Sequence, residues 1–563
     1  MALEANSIAN SKRQKSARNM KIFIGTILVL SALVANSLSA TIDMPEIHTQ
    51  SQLLGPAASF SKTRESNLID PNALGKGKTG PEEEKSAQFW YDLAEEEILK
   101  RLEQPQIDTR KAKNIILFLG DGMSLSTVAA ARIHKGQLKG NPGEEDGLSF
   151  EQFPYTGLSK TYCSNAQVAD SACTATAYLC GVKTNIVALG ITAAVNFNNC
   201  SGSEDPANQI PSIATWAQAA GKGSGIVTTT TLTHASPSGA YAHTTNRFFE
   251  SDTDIVTYGE GQNFPESCTD IATQLITQAP GKNFDVMLGG GIGKFLPNTI
   301  TDPFDKKGER SDGVNLLSRW QVQHPGGVLT YNRDQLLSVN ASKITNLIGT
   351  FRSGVMSFHK MADPSEEPTL TEMTRKAIEV LSKNEKGYFV FIEGGLIDYG
   401  NHFNSPRYSL DETLELEKAV AEAQRLTNPE DTLIVVTSDH AHPLTIAGYP
   451  GRGTPILGLN QDDTDVNGVK YATLNYAVGL EQYLDEQGQR IDLSEKILED
   501  DFIAPSYIPG KIGVHAGEDV GIFATGPQAH LFSGVMQQST IPHLMAYAAC
   551  IGDGITLCNK DNK

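Results

Sequence analysis

Carboxylate, imidazole and hydroxyl side chains fall in this chain in short clusters suited to holding cations. Asp439-His440-Ala441-His442 offers an acid and two imidazoles at one place, a donor mixture that suits zinc. Asp398 and His402 stand four residues apart, so on a helix they would share a face and could grip one ion. His515 lies in a glycine-flanked loop and is a further imidazole. Asp121 in Gly-Asp-Gly, Glu393 in Glu-Gly-Gly and Ser236 offer oxygens, the donors magnesium takes, and Asp121 with two oxygens could bridge two ions. Ser171 opens a run of small helix formers that ends at Gly181, which puts its hydroxyl at the positive end of a short helix. There an anion would meet free N–H groups, and a serine alkoxide would be stabilised in the same way. Arg247 supplies a planar fork for two phosphate oxygens. Taken singly, each has a plainer reading. Ser171 is a preferred helix cap, Asp-His pairs sit in turns, Asp398 and His402 could be a solvated helix pair, and a lone histidine is more often structural.

These residues stand where strand patterns end. Asn114–Leu119 is a continuous apolar run leading into Gly-Asp-Gly, as expected of a strand buried on both faces. Residues 225–230 lead to His234 and Ser236, 388–392 lead to Glu393, and 432–437 lead to Asp439, while 285–288 enters three glycines. Helical patterns at 371–383 and 410–425 alternate with these runs. The fold class expected is therefore α/β, a large mostly parallel sheet flanked by helices, with ligands beyond the carboxyl ends of the strands. The stretch 444–509 breaks the alternation and is read as a smaller inserted domain, so that 81–443 and 510–558 form the main one.

Residues 41–80 read as a polar leader and 559–563 as a tail; an amphipathic helix is expected over Glu82–Leu102, from the spacing of Phe89, Trp90, Leu93, Ile98, Leu99 and Leu102. Five basic residues precede the apolar run 22–34, and small residues follow to Ala40. Residues 1–40 thus read as a secretory signal peptide with a basic extension, with a membrane anchor as the alternative. Its removal would take the net charge from −19 to −23, which disfavours nucleic acid as a partner. No hydrophobic tail follows Cys558, so no lipid-anchor signal is expected. The chain has seven cysteines. Cys550 and Cys558 are near neighbours and Cys200 and Cys268 flank a polar stretch, making two candidate bridges, while the pairing of Cys163, Cys173 and Cys180 stays open. Asn199 and Asn340 head glycosylation sequons.

The motifs Asp121-Gly122-Met123, Asp170-Ser171-Ala172, Thr174–Lys183, His234-Ala235-Ser236-Pro237, Glu393-Gly394-Gly395, Asp439-His440-Ala441-His442 and His515–Val520 together resemble those of the metal-dependent alkaline phosphatases of animals. The resemblance spans about residues 81–558. It implies a two-zinc, one-magnesium site, an alkaline-phosphatase-like sheet with a crown-like insertion, and hydrolysis of small phosphate monoesters through a phosphoserine. Asp398, His402 and His515 would hold one zinc, and Asp121, Asp439 and His440 the other, beside Ser171 as nucleophile. Asp121, Ser236 and Glu393 would hold the magnesium, with His234 beside it. Arg247 would clamp the phosphate, and His442 would orient a ligand carboxylate. Asp170 receives no ligand role. The 82–102 segment is similar to the family's intersubunit arm, which implies a homodimer. Two positions depart from the pattern. Tyr399 replaces the histidine of vertebrate members, and Arg352 replaces a calcium-holding glutamate of mammalian members, so an additional Ca2+ is doubtful. The competing readings are a phosphodiesterase or sulfatase of the same superfamily and a catalytically weak surface binding protein. The sulfatase Cys/Ser-x-Pro-x-Arg motif is absent around Ser171, and every expected ligand position is filled.

Overall fold

The computed structural model describes residues 107–259 and 268–558, together with Phe89, Asp92 and Glu95. The expected signal peptide, leader and tail lie outside the described residues. So does most of the 82–102 segment, in which the three described positions are helical.

Fifteen strands follow one another among the described residues. The first eight are β1 (Asn114–Gly120), β2 (Tyr155–Lys160), β3 (Gly223–Thr231), β4 (Val286–Gly290), β5 (Val328–Thr330), β6 (Leu347–Thr350), β7 (Tyr388–Gly394) and β8 (Thr432–Ser438). Next come β9 (Leu444–Ile446), β10 (Leu459–Thr464), β11 (Lys470–Ala472), β12 (Leu474–Gly479) and β13 (Ser506–Pro509), then β14 (Val520–Thr525) and β15 (Gly534–Gln537). Ten of them form one sheet in the order β15-β2-β14-β8-β1-β7-β3-β4-β6-β5. β14 runs antiparallel to β2 and β8, and every other pairing in this sheet is parallel. The long apolar runs became the central strands because they are covered on both faces. The short strands β2, β5, β6 and β15 carry no such run and are held by their neighbours' hydrogen bonds, so the sequence pattern passed over them.

Alternation along β1 sorts its side chains between two cores. Ile115, Leu117 and Leu119 join Phe389, Phe391, Leu433 and Val435 beneath the Ser171–Cys180 helix. Ile116 and Phe118 join Val390, Ile392, Ile434 and Val436 against the Leu125–Leu138, Leu370–Leu381 and Pro406–Leu426 helices. Each fully buried side chain of this kind contributes about 1.5–3 kcal/mol. The 444–509 stretch forms a three-stranded sheet, β13-β12-β9, and a β10-β11 pair. Its Leu444, Ile456, Leu474 and Tyr476 enter the second core, so it shares the apolar interior of the large sheet.

Cys200–Cys268, Cys550–Cys558 and Cys163–Cys173 are bonded, and Cys180 is a buried free thiol. The Cys163–Cys173 bridge settles the pairing that the sequence left open. It ties the loop before the Ser171 helix to that helix's first turn. Closing a ten-residue loop stabilises a fold by about 2–3 kcal/mol through the unfolded chain. Replacing both cysteines by alanine should therefore lower the midpoint of urea unfolding relative to the parent without reductant, and the difference should shrink when reductant opens the bridge in the parent; a difference unchanged by reductant would place the effect elsewhere than in the cross-link.

Candidate active site

Three strands deliver carboxylates to one place because they end level. Gly120 at the end of β1 pairs with Gly394 of β7 on one side and Ser438 of β8 on the other. Asp121 and Asp439, the next residues on β1 and β8, therefore leave the sheet side by side. Glu393 lies across from Leu119 and Thr228, two residues beyond Phe391 and on the face of the Ser171 helix. The Gly122 N–H donates to Asp439 Oδ1 at 2.9 Å. Its φ of +64° and its surroundings require glycine, since a Cβ there would lie 2.7 Å from His442 Cδ2 and 2.9 Å from Asp398 Oδ1.

The first donor group surrounds His440. Its Nε2 lies 3.1 Å from Asp439 Oδ2, 3.6 Å from Asp121 Oδ1 and 3.2 Å from the hydroxyl of Ser171. The second lies on and beside the Leu396–His402 helix, where the i,i+4 spacing puts His402 Nε2 3.2 Å from Asp398 Oδ2. His515 Nε2 lies 3.0 Å from His402 Nε2 and 3.5 Å from Asp398 Oδ1. His402 Nδ1 donates to the Gly513 carbonyl at 2.6 Å and His515 Nδ1 to the Ala169 carbonyl at 2.8 Å. A carbonyl only accepts, so both Nδ1 atoms carry hydrogen and the two Nε2 atoms face each other beside Asp398. Burial works against protonated His515, but the hydrogen bond and charge of Asp398 raise it above its ordinary value, so a proton can lie between the two nitrogens where a bound cation would otherwise sit. Asp398, His440, His442 and His515 also lie within 4.8 Å of one another. His442 Nε2, however, is committed to Asp398 Oδ1 at 2.6 Å, which makes it an orienting partner and leaves His402 the better-placed third donor. The His440 and His515 rings stack at 3.5 Å and join the two groups.

Asp121, His234 and Glu393 form a third group, and Ser236 Oγ lies 3.4 Å from Asp121 Oδ2. Thr228 and Thr230 donate to Glu393 Oε2. Glu393 Oε1, Asp121 Oδ1 and Asp439 Oδ2 are buried with no hydrogen-bond donor. Oxygens of this kind, beside histidine nitrogens, are available to a metal ion.

The electrostatics agree. Burial, together with the charges of Asp439, Asp398 and Glu393, raises Asp121 well above the usual carboxylate range. Burial lifts Glu393 to about 7 and Asp439 to about 6. Burial also works against ionised Asp398, but the charge and hydrogen bonds of His402, with bonds from His442 and His515, hold it well below its ordinary value. Burial lowers His440 strongly, His442 to about 4 and His234 to about 3, so these rings are neutral and able to act as ligands near neutral pH.

Asp170, which sequence reasoning left without a role, is the helix cap. Its carboxylate accepts from the N–H groups of Ala172 and Cys173, and Gly181 closes the helix in the left-handed conformation. Two corrections follow. Ser171 is not the cap, and the N–H groups of Ala172 and Cys173 are not free for an anion because Asp170 occupies them. Arg247 stands beside the start of this helix, its Nη1 3.1 Å from Asp170 Oδ2 and its Nη2 donating to His234 Nε2 at 3.0 Å. Also missed were Thr228 and Thr230 behind Glu393, Asn401, and Gln538, whose amide donates to the Asp439 carbonyl at 2.8 Å. Only the threonine run of β3 gave any sign of itself in the sequence. Tyr399 places its ring 6.2 Å from that of His234. Arg352 pairs with Glu367 at 3.3 Å, so that carboxylate already faces a protein cation.

A doubly covered parallel sheet with a capped serine helix and cation-demanding donors at its carboxyl edge defines a metal-dependent α/β hydrolase. The alkaline phosphatase family profile matches residues 112–551. The chain is 43% identical over 512 residues to the membrane-bound alkaline phosphatase of Bombyx mori, covering 88% of this chain and 92% of that one. It is 42% identical over 487 residues to the tissue-nonspecific alkaline phosphatase of Homo sapiens, covering 85% and 91%. In fold it is similar to the alkaline phosphatases of Thermus thermophilus (TM-score 0.57, 21% identity, 81% and 96% covered) and of the Antarctic bacterium TAB5 (0.56, 23%, 80% and 100%). The chain belongs to the alkaline phosphatase family and is a phosphoric monoester hydrolase.

Glu393 supplies a titration test. In chelator-treated protein it keeps its proton in the folded state up to about pH 7, whereas in the unfolded chain it ionises near 4.5. Between those values the folded state binds more protons, so this group's contribution to stability falls as pH rises. Glu393→Gln cannot ionise and should gain on the parent chain by on the order of 3 kcal/mol between pH 4 and 8, measured by urea unfolding. Parallel stability curves for the two proteins would remove Glu393 from the buried acidic cluster.

Proposed function

We propose that this chain is a secreted phosphomonoesterase that carries two Zn2+ and one Mg2+ and works through a phosphoserine at Ser171. The observation that carries the reading is the Ser171 hydroxyl, buried 3.2 Å from His440 Nε2, at the edge of a pocket whose carboxylate oxygens lack donors. Asp398, His402 and His515 would hold one zinc, Asp121, Asp439 and His440 the other, and Asp121, Ser236 and Glu393 the magnesium. Bound there, divalent ions supply Lewis acidity that favours ionised oxygen on both sides of the phosphorus.

The chain's own groups do the rest. Arg247 binds two phosphate oxygens through its fork, and Asp170 holds that fork in place. Asp170 also fixes the first turn of the helix, so the Ser171 oxygen is presented toward the phosphorus at one angle. Ser171 attacks in line, the leaving alkoxide departs opposite, and the phosphoserine is then hydrolysed by water from the vacated side. Neutral His234 steadies Arg247 without adding a second positive charge. His442 keeps Asp398 turned toward His402 and His515.

Three disulfides favour an oxidising compartment, and no described helix is long and apolar enough to cross a membrane. Asn340 and Asn199 are both exposed, as carriers of glycan must be. A homodimer is inferred from the arm-like 82–102 segment, and sedimentation at micromolar concentration tests it.

Purified protein should hold about two zinc and one magnesium per chain, in line with the donor sets; an active preparation with no zinc would overturn the assignment. Because Asp170 caps the helix, Ser171→Ala should keep the parent's unfolding midpoint. It should nonetheless lose the acid-trapped phosphoenzyme and about 10³-fold or more in kcat. Transfer of a chiral phosphoryl group to an added alcohol should retain configuration, two inversions in succession, whereas net inversion would mean direct attack by water.

A further inference from the structure

Asn401 lies between Asp398 and His402 on the Leu396–His402 helix and is wholly buried. Its Nδ2 donates to the Gly122 carbonyl at 3.2 Å, and its Oδ1 accepts from the Tyr476 hydroxyl at 2.7 Å. Gly122 follows Asp121 in the chain and donates its own N–H to Asp439 Oδ1. One line of hydrogen bonds thus runs from Tyr476 in β12 of the 444–509 stretch, through Asn401 and Gly122, to Asp439. Its ends and middle touch both donor groups. The amide orientation is fixed by chemistry, because the Gly122 carbonyl accepts only and must face the NH2.

The same stretch grips the helix a second time. Asn404, in the left-handed region at φ +50°, accepts from the Leu480 N–H at 2.9 Å through its side chain and from the Ala504 N–H at 2.7 Å through its carbonyl. The helix carrying Asp398 and His402 is therefore fastened at its far end to the insertion. Near its middle it is tied to the loop carrying Asp121.

We propose that Asn401 and Tyr476 are positioning residues for hydrolysis: Tyr476 locks the Asn401 amide, and Asn401 sets the spacing between the Asp398/His402/His515 group and the Asp121/Asp439/His440 group. This rests on the metal reading above. The inserted stretch is thereby part of the active site's support, although none of its side chains is among the donors. Groups that orient a metal's ligands change metal affinity by about 10–100-fold when lost, and here the orienting line runs from Tyr476 through Asn401 and Gly122 to Asp439.

The test is zinc release from the loaded enzyme into excess chelator, followed with a chromogenic zinc indicator, alongside the visible spectrum of the cobalt-substituted protein. Tyr476→Phe removes one oxygen and should speed zinc loss by about tenfold. Asn401→Ala should speed it by about 100-fold. Asn401→Asp keeps the tyrosine bond but loses the donor to Gly122, and should resemble Asn401→Ala. The cobalt bands should shift in Tyr476→Phe, a change that loss of stability alone does not produce. Tyr483→Phe is the control. Its hydroxyl donates to the Ile503 carbonyl at 2.9 Å in the same stretch but lies off the path, and it should release zinc at the parent rate. Should Asn401→Ala fail to fold, Tyr476→Phe decides. Equal release rates for Tyr476→Phe and Tyr483→Phe would overturn the proposal alone, while a parent protein holding no zinc would overturn the metal reading beneath it.

Discussion

Four carboxylates, Asp121, Glu393, Asp398 and Asp439, share one water-poor pocket with a single guanidinium, and Arg247 already serves Asp170. Burying one ionised carboxylate without compensation costs several kcal/mol, so four cannot coexist there as bare ions. The surrounding structure makes matters worse for any solution other than cations. Thr228 and Thr230 satisfy one oxygen of Glu393 and the Gly122 N–H one oxygen of Asp439, the other oxygen of each having no donor, while Asp398 is held by His442 on one oxygen and lies 3.2 Å from His402 on the other. His402 and His515 turn their Nε2 atoms inward, because their Nδ1 hydrogens are spent on backbone carbonyls. Protonation of Asp121, Glu393 and Asp439 relieves part of this repulsion, and divalent ions on the same oxygens would relieve it when those groups ionise.

Close approach of backbone is what lets so many donors converge. Gly122 passes where no Cβ fits, and a Cβ on Gly239 would lie 2.6 Å from that of Ala175 in the Ser171 helix. That helix is small-residue throughout its first two turns and buried along its whole length. Its stability comes from packing and from the caps at Asp170 and Gly181 more than from amphipathicity. Fixing the helix at both ends fixes the position of the Ser171 oxygen.

The 444–509 stretch extends this support. Its apolar residues sit in the same core as β1, β7 and β8, and its polar ones reach the Leu396–His402 helix. Catalytic metal chemistry on a parallel sheet needs ligands from several strand ends to hold a fixed separation. The 444–509 stretch packs against the large sheet's core and bonds to Asn401 and Asn404 at the end of the Leu396–His402 helix.

Much of this was legible in the amino-acid sequence, for identifiable reasons. Apolar runs ending in ligand-type residues announce central parallel strands, because only a strand covered on both faces tolerates such a run; β1, β3, β7 and β8 could be read that way. Clustered Asp, His and Glu types name a metal chemistry, and their order along the chain names a family. What tertiary structure alone decided are the facts that depend on residues far apart in sequence. Whether Ser171 caps its helix turned on the neighbouring Asp170, and why Asp170 matters turned on Arg247, 77 residues away. Which nitrogen of His402 faces inward was set by the carbonyl of Gly513, and that of His515 by Ala169. Asn401 looks like any polar helix residue until Tyr476 and Gly122 are placed on either side of it. A sequence determines which groups are available; their protonation, orientation and spacing are properties of the pocket, because hydrogen-bond partners and burial exist only once the chain has closed around them.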